Sequence, residues 1–82
     1  MTADELKTII STHLACDHIE LEGDGRHWYA TIVSEAFSGK RLIQRHQQVY
    51  ATLGSKIQND EVHALSMKTY TPQEWQAQQK QQ

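Results

Sequence analysis

The feature that most constrains this chain is a strand that runs directly into a capped helix, Val62 to Trp75. From Val62 to Lys68 the side chains alternate. His63, Leu65 and Met67 share one face and Val62, Ala64 and Ser66 the other, as the period of a strand requires. Thr71 is suited to the N-cap, Pro72 to the first helical position and Glu74 to the third, so Thr71 and Glu74 can each satisfy a backbone amide at the helix start. Tyr70 and Trp75 stand where a hydrophobic staple packs. A helix must therefore start where this strand stops, and His63 heads the strand at its far end.

The upstream elements follow from the same rules. Thr2 and Glu5 have capping-box spacing ahead of Leu6, Ile9, Ile10 and Leu14, which recur at helical intervals and predict a first helix from about Ala3 to Leu14. His18 to Glu22 alternates polar and apolar, Gly23-Asp24-Gly25 suits a tight reversal, and His27 to Val33 is rich in aromatic and β-branched residues. That pattern predicts a β-hairpin. Ser34 to Ser38 reads as an irregular link. A second helix is expected over Lys40–Leu53, with Leu42, Val49, Tyr50 and Leu53 on its apolar stripe; at about 100° per residue His46 falls within that stripe and Arg41 and Arg45 at its flank. His46 is thus expected to be structural and turned towards the core. Residues 55–61, with Ile57, suit a further helical turn.

The resulting order is α-β-β-α-(α)-β-α. The hairpin makes the first two strands antiparallel, and a helical crossover makes the third parallel to the second. A three-stranded mixed sheet with its helices on one face is the expected α+β solution, its other face carrying Glu20, Glu22, Thr31 and Ser66. The 82 residues suit one domain, 1–76, followed by a Gln-rich tail, 77–82, that lacks apolar residues and is expected to fray. A net charge of −2 disfavours a surface tuned throughout to phosphate backbones. The lone Cys16 cannot form an internal disulfide, nothing at the start resembles a secretory signal, and no apolar run approaches the roughly 18 residues that span a bilayer. A cytoplasmic protein without membrane insertion is expected.

The run Val33-Ser34-Glu35-Ala36-Phe37-Ser38-Gly39-Lys40, then Arg45-His46 with Val49-Tyr50, then His63-Ala64-Leu65, Lys68-Thr69 and Thr71-Pro72-Gln73-Glu74-Trp75, strongly resembles the BolA-like family over roughly residues 4 to 76. The resemblance implies a fold like the class II KH domain. It also implies a monothiol glutaredoxin as partner, with a bridging two-iron, two-sulfur cluster shared with that partner and glutathione, and no cofactor in the isolated chain. The family's histidine near the third strand matches His63, and its variable His or Cys loop position most nearly matches His27. These two are the implied metal ligands; imidazole is a good iron ligand, and His in place of thiolate makes a cluster more labile. A monomer alone and a heterodimer with glutaredoxin are expected. Contact is expected through helix two, the third strand and the last helix, with Arg45, Lys68 and Thr69 at the partner surface.

Taken without the resemblance, His63 reads as an ordinary hydrogen-bonded histidine, because two histidines far apart in sequence do not announce a metal site. His13 and His18 read as solvated or dipole-compensating residues near the end of helix one. Cys16 reads as a half-buried bystander. Some bacterial members of the family are described as transcriptional regulators, so binding of DNA or RNA by Lys40, Arg41, Arg45 and Lys56 is the alternative. It lacks the Gly-x-x-Gly loop of a typical KH domain. No zinc pair, phosphate loop or nucleophile with a neighbouring base suggests an enzyme.

Overall fold

The structure, a computed structural model, describes residues 2–54 and 64–80. Helix α1 (Ala3–His13) starts at the expected capping box: the Glu5 amide donates to Thr2 Oγ1 and the Thr2 amide to Glu5 Oε1, each over 3.1 Å. Strands β1 (His18–Gly23) and β2 (His27–Val33) form the hairpin, α2 (Leu42–Leu53) follows, and β3 (Ala64–Tyr70) runs into α3 (Pro72–Lys80). The sheet order is β1-β2-β3, with β1 antiparallel and β3 parallel to β2. The element order and the mixed α+β sheet are those expected, but α3 does not join α1 and α2 on one face: its Trp75 stacks on His18 and Tyr70 on the other. The further turn over residues 55–61, together with His63 and Lys56, lies outside the described residues.

Gly23 shows why the hairpin needs glycine where it closes. A Cβ there would stand 2.3 Å from the His27 carbonyl oxygen and 2.6 Å from Trp28 Cε3. Downstream, alternation along β2 turns Trp28, Ala30 and Ile32 into the core with Leu6, Ile10, Phe37, Val49 and Leu53. The link after β2 contains a 3-10 turn, Glu35–Phe37, and is more regular than expected. Ser34 organises it from a buried position: its hydroxyl accepts from the Ala36 amide and donates to the Ala15 carbonyl.

At the other end, the Thr71 amide donates to Glu74 Oε1 and the Glu74 amide to Thr71 Oγ1, which is the reciprocal pair of a capping box. Trp75 packs on Tyr70 with ring centroids 5.3 Å apart, forming the staple. It also stacks on His18 at 5.1 Å. By strand alternation His18, Val33 and Tyr70, which are register neighbours, lie on the sheet face away from α1 and α2. Val33, between the two ring partners of Trp75 in the register, is buried. Helix α3 continues through Lys80, with residues 77–80 helical and exposed.

Helix α2 differs from its helical-wheel expectation in both length and rotation. It begins at Leu42, after Arg41, whose amide donates to Gln44 Oε1. Its buried residues are Arg45, Val49 and Leu53, four apart, whereas Leu42 is 64% exposed and His46 only half-buried. The inward line thus passes through Arg45 and not His46. The reason is polar: Arg45 finds more acceptors inside the fold than the wheel, which counts only apolar residues, can register.

Candidate functional site

His27 follows directly from the hairpin turn. Asp24 Oδ1 accepts the amides of Arg26 and His27 at 2.9 and 2.8 Å, and the Asp24 amide donates to the His27 carbonyl. These amide donors, that of His27 first, hold the Asp24 carboxyl below the usual carboxylate range. The other oxygen, Oδ2, lies 3.9 Å from His27 Nδ1. The imidazole is 60% exposed. At that separation the two groups are in loose electrostatic contact without a hydrogen bond, so both ring nitrogens stay open to an outside partner. Across the parallel ladder His27 stands opposite Ala64.

A second cluster lies at the opposite end of the sheet. Arg45 donates from Nε to the Lys40 carbonyl at 3.0 Å and from Nη1 to the Thr69 carbonyl at 3.3 Å. It also forms a two-point pair with Glu74, Nη1 to Oε1 at 2.7 Å and Nη2 to Oε2 at 3.2 Å. Its guanidinium carbon lies 6.0 Å from the centre of the Phe37 ring. Only 8% of the residue is exposed. Arg45 hydrogen bonds, then the Thr71 amide, hold the Glu74 carboxyl below its ordinary range. One side chain therefore joins the start of α2, the end of β3 and the cap of α3.

This geometry corrects two sequence-based assignments. Arg45 and Thr69, expected at a partner surface, are buried, and the Arg45 donors are occupied inside the chain. Lys68 is exposed on the outward face of β3, and Lys40 and Arg41 are exposed before α2. The basic set considered for nucleic acid thus loses Arg45 from the surface. The Arg45–Glu74 pair had one signal in the sequence, since Glu74 is the sole acid after Glu61. Asp24 at three residues before His27 was the signal for the turn behind the imidazole. His18 stacked on Trp75 had none.

Cys16 is half-buried, with Sγ 3.2 Å from the Leu14 carbonyl oxygen. Burial first, and Asp17 second, push its thiol pKa up, which disfavours the reactive thiolate. The outward sheet face forms a shallow concavity of about 670 Å³ whose lining includes Glu20, Glu22, Tyr29, Thr31, Ser66 and Lys68. No helix among the described residues is long and apolar enough to cross a membrane.

Comparison with known proteins places these features in context. The family model described as BolA-like protein matches residues 1–74. The acid stress protein IbaG of Escherichia coli (strain K12) is 33% identical over 75 residues, covering 92% of this chain and 89% of that protein. A DNA-binding transcriptional regulator BolA of Vibrio cholerae is 46% identical over 54 residues, which are 66% of this chain but 50% of the regulator. Among solved structures, a bol-like protein from Babesia bovis superposes with a TM-score of 0.85 at 25% identity, over 96% of this chain and 94% of that one. Relatives are thus named as stress proteins or regulators.

Proposed function

This chain belongs to the BolA-like family, and from that premise we propose that it is a non-enzymatic adaptor for a monothiol glutaredoxin, sharing a bridging two-iron, two-sulfur cluster with that partner and glutathione in the cytoplasm. Its task is cluster trafficking or iron sensing. It is a monomer alone and a heterodimer when loaded. His27 and His63 supply the imidazoles.

The strand register is the observation that carries this reading. His27 stands opposite Ala64 in the parallel ladder, and Ala64 follows His63 in the sequence. The donor chemistry fits: imidazoles can replace thiolates on one iron of such a cluster, and the His27 ring is open to solvent. When bound, the cluster supplies redox-active iron; the chain contributes neutral nitrogen ligands and an open, solvent-facing position. Because Arg45 is internal, Lys68 is the charged residue available to a partner on β3.

The test mixes this protein with glutaredoxin, glutathione, iron and sulfide and records visible circular dichroism. A changed cluster spectrum is expected with the natural sequence and no change with a folded His63→Ala variant. An unaltered spectrum with the natural sequence defeats it. Nucleic-acid binding is the second reading, favoured by the name of the Vibrio relative and by exposed Lys40 and Arg41. Affinity for duplexes or single strands that survives physiological salt would place it first.

A further inference from the structure

The two edges of the sheet are finished differently. The Ser34 amide donates to the Tyr70 carbonyl, so the even residues of β3 bond to β2 and the odd ones face outward. That outer edge is covered at both ends by α2: Tyr50 Oη donates to the Leu65 carbonyl and Arg45 to the Thr69 carbonyl. On β1, the Asp24 amide bonds to the His27 carbonyl and fixes the opposite parity, so His18, Glu20 and Glu22 bond to β2. The main-chain groups of Ile19, Leu21 and Gly23 face outward, and among the described residues none has a hydrogen-bond partner beyond the sheet.

Charge on this edge is one-sided. Asp17, Glu20, Glu22 and Asp24 fall within residues 17–24, which contain no Lys or Arg. Glu20 and Glu22 project from the outward face, where Glu20 meets His18 Nε2 and Glu22 has no ion pair among the described residues. Lys7 and Lys68 contribute to the rim of the concavity without a salt bridge to either acid. Pairing of β1 with a second copy, centred on Glu20 or Leu21, sets Glu20 against Glu20 or against Glu22. Like charges directly opposite are unfavourable, so the edge rejects itself.

We infer that the β1 edge is a docking site for an extended basic segment of a partner protein, which adds as a fourth, antiparallel strand with Lys or Arg at alternate positions. Its basic side chains lie opposite Glu20 and Glu22 on the outward face. Its intervening apolar residues lie beside the half-buried Ile19 and Leu21, and the main chain of those apolar residues makes the ladder bonds. This surface is on the edge of the sheet away from β3.

The probe is an acetylated, amidated peptide of alternating Lys and Val, titrated against the full 82-residue protein at low salt with amide shifts followed by NMR. Binding is expected to move the Ile19, Leu21 and Gly23 amides. N-methylation of the valines removes the ladder donors and is expected to abolish binding, whereas N-methylation of the lysines preserves it. A Glu20→Thr, Glu22→Thr variant is expected to bind roughly tenfold more weakly. Absence of binding, equal binding by all three peptides, loss on lysine methylation alone, shifts confined to other residues, or unchanged affinity of the double variant each overturn the proposal.

Discussion

Arg45 illustrates how one side chain can outweigh a helical pattern. An apolar wheel centred on Leu42, His46, Val49 and Tyr50 turns Arg45 aside, yet the fold buries it because two carbonyls and a carboxylate converge on its guanidinium. Replacing Glu74 with Gln keeps an acceptor for the cap but removes the charge opposite a buried cation. Because Glu74 is itself half exposed, the expected loss is moderate, about 1–2 kcal/mol in urea unfolding. The pH dependence has a definite sign. The Glu74 and Asp24 carboxyls are both depressed in the folded state, so their contribution is present above the ordinary carboxylate range, about pH 4, and is lost as pH falls through the folded values. Stability measured from neutral pH downward should decline in acid, and Glu74→Gln should flatten that decline; an unchanged acid limb would show that the pair does not couple to folding.

At the level of elements, what could be read in the sequence was local. Caps at Thr2 and Thr71, the hairpin turn at Gly23 to Gly25 and the staple of Tyr70 on Trp75 involve residues within a few positions of each other, so their chemistry is visible in order. The rotation of α2, the Arg45–Glu74 pair 29 residues apart and the stacking of His18 on Trp75 depend on packing between distant segments. Of the candidate site, Asp24 and His27 follow from turn chemistry, but the nearness of His27 to Ala64 required the register. Gly23→Ala should strain the hairpin by about 1–3 kcal/mol, given the close approach of the His27 carbonyl, and should lower cluster loading by displacing His27. Thermal unfolding and iron content check the two effects separately. Trp75→Ala removes both aromatic contacts of α3, with His18 and with Tyr70, and faster amide exchange is expected in α3 while α1 stays protected. Equal exchange would mean that the cap and Arg45 alone hold the helix.

Across the whole molecule, a small sheet separates its tasks by position. The hairpin end presents His27 with a carboxylate near its ring, while the opposite end is clamped by Arg45, Glu74 and Trp75. The clamp fixes where β3 ends and hence the register that sets Ala64 beside His27. In the proposed complex, imidazoles of this chain ligate the shared cluster. The most direct test of that ligation is electron–nuclear spectroscopy of the reduced cluster in the complex with glutaredoxin and glutathione, using protein labelled with 15N at histidine. Histidine nitrogen couplings are expected that change on labelling, diminish in His27→Ala and disappear when His63→Ala is added. A reduced cluster whose spectrum shows no histidine nitrogen coupling, or is identical in the double variant, would contradict it.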